Sequence, residues 1–123
     1  MPSPALAAAL GLAALLAAAL PARAELELLM FNRAGCEWCA KWEEEIGGGY
    51  ASSAEGRQAP VRRVPIHEGA PEGVALDRPP RYTPTFVLLA DGEEVGRIDG
   101  YPGASFFYPM LARLIERADH RAD

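Results

Sequence analysis

The chain has 123 residues, with 12 Lys and Arg against 17 Asp and Glu, for a formal charge of −5. That length holds one ordinary domain with one core. The acidic balance excludes a phosphate-tracking protein, because nucleic-acid affinity comes mainly from Lys and Arg neutralising the backbone.

Residues Ala5 to Leu20 contain only Ala, Leu and one Gly, and Pro21-Ala22-Arg23-Ala24 follows. A short apolar run, a Pro break and an Ala-x-Ala end form a signal-peptidase site, with cleavage expected after Ala24. The run is shorter than the roughly 20 residues that span a bilayer. No Lys or Arg precedes it, so an uncleaved anchor stays open as an alternative. Removing residues 1–24, which carry one Arg and no acid, leaves 99 residues and a charge of −6. The expected organisation is a signal peptide over 1–24 and one exported domain over 25–123.

Glu25 to Phe31 alternates and then becomes wholly apolar, as in a strand buried on both faces. Cys36 to Ile46 reads as a helix with Cys39, Trp42 and Ile46 on one face, and Gly47-Gly48-Gly49 is expected to stop it. Ser52 to Ala59 is a polar connection with room for one helical turn. Val61 to Ile66 is a second strand, and His67 to Arg81 a loop rich in Pro, Gly and charge. Thr85 to Leu89 and Glu94 to Asp99 are strands around an Asp91-Gly92 hairpin turn. From Ser105 onward Phe107, Met110, Leu111, Leu114, Ile115 and Ala118 share a helical face, with Pro109 unsettling its start. A right-handed crossover makes the first two strands parallel. The fold class is α/β: a four-stranded mixed sheet, β-α-β-loop-β-β-α, covered by helices.

Gly35-Cys36-Glu37-Trp38-Cys39 carries the chemistry. Two cysteines can be bridged when the backbone holds their Cβ atoms about 4 Å apart, as a first helical turn does. Cys36 at the helix start is expected to be exposed and to face unpaired N–H groups that favour its thiolate, the attacking species. Cys39, one turn in, faces the apolar side and can resolve a mixed disulfide. Glu37 opposes the dipole by placing a negative charge beside Cys36. A structural disulfide is the competing reading, although so short a loop constrains the unfolded chain little. Zinc would have to recruit His67 and His120 from a loop and the tail. Haem attachment needs His directly after the second cysteine, where Ala40 stands.

Thr83-Pro84 directly precedes the third strand, where Pro is sterically permitted and an X–Pro bond can be cis. With the strand–CxxC–helix unit upstream and the hairpin downstream, the pattern resembles the thioredoxin superfamily over residues 25–118. The resemblance implies a minimal thioredoxin-like fold and a redox-active Cys36–Cys39 disulfide with no other cofactor. It also implies a cis Pro84 beside the dithiol and a Thr83 whose backbone hydrogen-bonds a bound peptide. The segments FNRAGCEWCAKW, YTPTFVL and DGEEVGRIDGYPG are similar to small periplasmic thioredoxins associated with bacterial sulfur-oxidation (Sox) systems. That likeness implies reduction of a partner protein's disulfide, recharging by a membrane thiol carrier, and a monomer. Trp38, between the cysteines, is a candidate for the partner-binding surface; Trp42 is assigned to the core. Tyr82 and Tyr101 could rim the site, but packing is the plainer role for both.

Around the dithiol the chain departs from thioredoxin proper in two places, and it also lacks the extra amino-terminal strand and helix expected of full thioredoxins. Glu37-Trp38 stands where Gly-Pro is usual, and Met30 takes the place of the buried acid. Glu37 is one candidate for the missing base. A disulfide donor or isomerase, and a metal-binding dithiol module, are the alternative functions.

Overall fold

Four consecutive apolar residues, Leu28 to Phe31, all fully buried, make the first strand central to the sheet, because only a strand covered on both faces can carry them. The computed structural model describes residues 23–121. The expected leader therefore lies outside the described residues, apart from Arg23 and Ala24. Strand β1 (Leu26–Asn32) leads to helix α1 (Glu37–Trp42), a π-helical segment (Glu43–Gly47) and α2 (Gly48–Tyr50). Helix α3 (Ala54–Gln58) and β2 (Val61–Pro65) follow, then a 3-10 turn (Ile66–Glu68) and the long loop. Strands β3 (Thr85–Ala90) and β4 (Glu93–Asp99) precede the final helix α4 (Ala104–Arg121). The sheet order is β2-β1-β3-β4. β1 pairs parallel with β2 and antiparallel with β3, and β3 pairs antiparallel with β4. This is the mixed four-stranded sheet expected from the element order.

The two faces of the sheet are closed differently. On one, Leu28, Met30, Phe86 and Leu88 pack under Trp42, Ile46 and Tyr50 from the first helical run and Phe107, Leu111 and Ile115 from α4. On the other, Leu29, Phe31, Val64, Val87 and Leu89 are covered by Ile66, Val74 and Leu76. The long loop, not a helix, closes that side.

Three sequence expectations change. The glycines do not stop the helix: helical backbone runs through Gly47 and Gly48 to Tyr50. Each Gly costs about 1 kcal/mol against Ala in a helix. Burial of Ile46 and Tyr50, with the Tyr50 hydroxyl donating to the Ala59 carbonyl at 2.6 Å, offsets that cost. Pro109 lies inside α4, which begins at Ala104 and continues past it. Met110 is 39% exposed, so the buried stripe of α4 is narrower than its apolar residues suggested. The hairpin turn is as read, with Asp91 and Gly92 both at positive φ (51° and 83°), the backbone a two-residue type I′ turn needs.

The long loop is fastened to β4 by one buried ion pair. Arg97 donates to Glu94 through Nε and Nη2 at 2.8 and 2.6 Å, and the two side chains are 4% and 1% exposed. Glu94 also accepts the Asp77 amide at 2.9 Å, and Arg97 donates to the Arg78 carbonyl at 2.7 Å. Burial works to raise the Glu94 carboxyl, but the hydrogen bonds from Arg97 and Asp77, with the charges of Arg97 and Arg78, hold it below its ordinary value. A lowered folded-state value contributes stability above the ordinary carboxylate range and loses it as pH falls through the folded value. Glu94→Gln leaves a buried guanidinium unpaired and should lower the unfolding free energy by about 3–5 kcal/mol at pH 7. Denaturant titrations at pH 7 and pH 3 should show that gap shrinking in acid; a gap independent of pH would contradict the account.

Candidate active site

Cys36 is the N-cap of α1. Its backbone is extended (φ −76°, ψ 110°), and its Sγ accepts the Cys39 amide at 3.2 Å. Cys36 and Cys39 are joined in a disulfide, with Cα atoms 5.2 Å apart. One sulfur thus sits where a helix start offers N–H donors, the other one turn inside. The expectation that Cys36 is exposed is corrected: it is 8% exposed and Cys39 6%. Each sulfur shields the other when they are bonded, so accessibility does not separate their roles. Hydrogen bonding distinguishes the two sulfurs, since Cys36 Sγ accepts the Cys39 amide.

The disulfide borders a cleft of about 410 Å³. Met30 and Asn32 of β1, Arg33 and Gly35 from the β1–α1 connection, and Glu37, Ala40 and Glu43 from the helical run line it with the cysteines. Met30 is fully buried and brings no titratable group to the sulfur. Glu43 is tied to β2: Arg63 donates Nε to Oε1 at 2.5 Å and Nη2 to Oε2 at 2.9 Å. These hydrogen bonds raise the Arg63 guanidinium above its ordinary value against the effect of partial burial. The parallel register pairs Arg63 with Met30, which carries the guanidinium to the helix-covered face. There it lies 5.7 Å from the centre of the Trp42 ring.

The other candidates are arranged around this core. The Thr83–Pro84 peptide is cis. Pro84 is buried, and its carbonyl accepts the Gly100 amide at 2.8 Å. The pairing of Phe31 with Thr85 sets Thr83-Pro84 at the end of the sheet from which β1 leads to the cysteines. Thr83, Pro84 and Trp38 do not line the cleft. Trp38 is 58% and Tyr82 62% exposed, two large apolar groups at the surface. Trp42 is fully buried, as assigned. Tyr101 belongs to the core, and its hydroxyl donates to Glu45 at 2.8 Å. Burial first, then the Glu45 hydrogen bond and charge, push Tyr101 up to about 12, so it stays a neutral donor.

No protein-family profile and no curated protein matches the sequence. Among solved structures, the reduced periplasmic thioredoxin SoxS of Paracoccus pantotrophus matches at 53% identity and a TM-score of 0.75, over 76% of this chain and 99% of that one. The chain belongs to the thioredoxin superfamily. Thioredoxins of Fasciola hepatica (18% identity, TM-score 0.53, 85% of this chain and 92% of that one) and Malassezia sympodialis (16%, 0.50, 76% and 77%) share the fold.

As a thioredoxin-like protein, the chain is a thiol–disulfide oxidoreductase, a reductase of disulfides in partner proteins. The redox group is its own disulfide. Among the described residues no group of three or more His, Cys, Asp and Glu stands together to hold a metal.

Sequence reasoning missed Glu43 and Arg63. Glu43 could have been found, since it follows Cys39 by four residues and so stands over it on the helix. Arg63 could not, because only the β1–β2 register brings it there. The Cys39 amide at the Cys36 sulfur favours the Cys36 thiolate once the pair is reduced. Iodoacetamide should therefore label Cys36 roughly tenfold or more faster than Cys39 in the reduced protein at pH 7. Peptide mapping of partly labelled protein measures the ratio; equal rates would contradict this account of the cap.

Proposed function

We propose that the chain works in the periplasm as a two-step dithiol reductase, after removal of residues 1–24. Cys36 attacks a partner disulfide, and Cys39 then attacks the mixed disulfide and releases the reduced partner. The observation that supports this order is the hydrogen bond from the Cys39 amide to the Cys36 sulfur at the cap of α1. Attack by Cys36 draws on that donor, while Cys39 is held one turn inside, within reach of the bond it must break.

The partner would lie across the exposed end of the sheet. Trp38 offers apolar surface, and Thr83 offers backbone groups to an extended segment beside the dithiol, with the buried Pro84 fixing the chain there. Such a segment gains main-chain hydrogen bonds, the usual source of affinity when a strand docks on an edge. The likeness to a periplasmic thioredoxin, 53% identical, favours the same compartment. The further likeness to Sox-associated thioredoxins favours a partner cysteine in a sulfur-oxidation system. A reductase in that compartment has no direct access to cytosolic reductant, so a membrane thiol carrier would recharge it. It would work as a monomer.

Purified protein lacking residues 1–24 should accelerate insulin reduction, and Cys36→Ser should return the rate to the uncatalysed value. Undiminished activity in Cys36→Ser would sink the mechanism. Expression of the full chain in a bacterial host, followed by fractionation and amino-terminal sequencing, should give a periplasmic product beginning at Glu25. A cytoplasmic product beginning at Met1 would contradict the placement.

A further inference from the structure

The release step asks something of Cys39 that the cleft must supply. A thiol attacks poorly, so Cys39 has to lose its proton before it can displace the partner from Cys36. Met30, which lines the cleft with Cys39, has no proton-accepting site of useful strength. Arg33 is a cation and Asn32 a neutral amide, which leaves the carboxylates of Glu37 and Glu43 as acceptors on the cleft wall. Glu37 precedes Cys39 by two residues and sits about half a turn around the helix from it. Glu43 follows by four and lies on the same face.

Arg63 fixes Glu43, and Gly47 leaves it room. The guanidinium of Arg63 grips both carboxylate oxygens. Arg63 is itself set by its register with Met30 and by the Trp42 ring beneath it. Gly47, one turn on, leaves the carboxylate room: a Cβ at that position would collide with Glu43 Oε2. The π-helical segment Glu43–Gly47 thus leaves room for an acid that lines the same cleft as the resolving sulfur, where the strand offers none.

We propose that Glu43 is the proton acceptor for Cys39 in the release step, acting through water in the cleft. The inference rests on the two-step reductase reading and assigns its missing base. In the mixed disulfide, the Cys39 proton passes through water to the Glu43 carboxylate. The Cys39 thiolate attacks Cys36 Sγ; the Cys36–Cys39 bond forms and the bond to the partner sulfur breaks. The partner leaves as a thiolate and takes up the proton held by Glu43, again through water. Two electrons have moved from the dithiol to the partner, and Glu43 is regenerated.

The test is stopped-flow reaction of the reduced protein with dithiobis(nitrobenzoate), whose two thiol releases report attack by Cys36 and then by Cys39. Glu43→Gln should leave the first phase within about twofold and slow the second by roughly tenfold to a hundredfold, the low end for a general base because water intervenes. Between pH 5 and 9, the Glu43→Gln second phase should rise steeply with hydroxide, while the wild-type phase should be flatter. The other charged groups lining the cleft are Arg33 and Glu37, and Arg63 faces Glu43 from β2; all are unchanged in this variant. Glu43→Asp should recover part of the rate. Arg63→Met removes the ion pair but keeps the carboxylate, so it should retain more of the second phase than Glu43→Gln. Gly47→Ala should slow the second phase with no change in charge. A Glu43→Gln second phase equal to wild type would overturn the proposal. So would an Arg63→Met loss as large as that of Glu43→Gln, which would make the ion pair a brace and not a base. Should Glu43→Gln not fold, Gly47→Ala decides alone, and an unaltered second phase there overturns the proposal. Absence of the first phase from wild type would strike the reductase reading itself, not Glu43.

Discussion

Trp42 fixes the rotation of α1, and that rotation sets every group at the dithiol. Its ring is fully buried, 5.3 Å from Phe86, 5.8 Å from Phe107 and 6.0 Å from Tyr50 between centroids. Aromatic contacts of this kind add to the area they bury and have preferred geometries, so the indole cannot turn without disturbing both the sheet and α4. With Trp42 inward, Cys39 faces the core and Cys36 falls at the cap. Glu43, next along the chain, comes out on the flank toward β2. Arg63 then bridges the outer side, its guanidinium on the indole and its fork on Glu43. One side chain thereby couples the core to the chemistry.

The sheet supplies the other constraint. Two central strands with wholly apolar inner residues need cover on both faces, yet the chain has helices for one. The loop between β2 and β3 closes the second face with Ile66, Val74 and Leu76. Such a loop needs fastening, and the buried Glu94–Arg97 pair holds it through the Asp77 amide and the Arg78 carbonyl. A surface pair would contribute little. This one is buried and satisfied on several sides, and the same loop ends in Tyr82-Thr83-Pro84, beside the dithiol's end of the sheet.

Much of this was legible in the sequence because it depended on local pattern. The β1 run of Leu28 to Phe31, the Asp91-Gly92 turn and the spacing of Cys39, Trp42 and Ile46 each state their structure within a few residues. What could not be read was set by partners distant in sequence. The glycines 47–49 look like a stop until Tyr50 is seen anchored to the Ala59 carbonyl. Met110 has an apolar side chain on an apolar stripe, yet it is 39% exposed. Cys36 looked open because helix starts are open; the disulfide itself covers it. At the site, the two cysteines and Thr83-Pro84 were found as motifs, but Arg63 required the β1–β2 register. Glu43 was hidden among Glu43-Glu44-Glu45, where a charged run reads as solvated surface.

Glu37 and Trp38 give the dithiol a different surface from a Gly-Pro pair: one negative charge and one large exposed ring beside the reactive sulfur. In the proposed mechanism they would weigh on which partners can approach, and the cap hydrogen bond on how fast Cys36 attacks. The central claim is that a covalent intermediate forms on Cys36 and is released by Cys39. Its most direct measurement is mass spectrometry of Cys39→Ser protein recovered from cells after rapid acid quenching. The account predicts partner proteins held on Cys36 by a bond that dithiothreitol cleaves, and none when Cys36 is also replaced. Adducts that survive loss of Cys36, or none at all in Cys39→Ser, would contradict it.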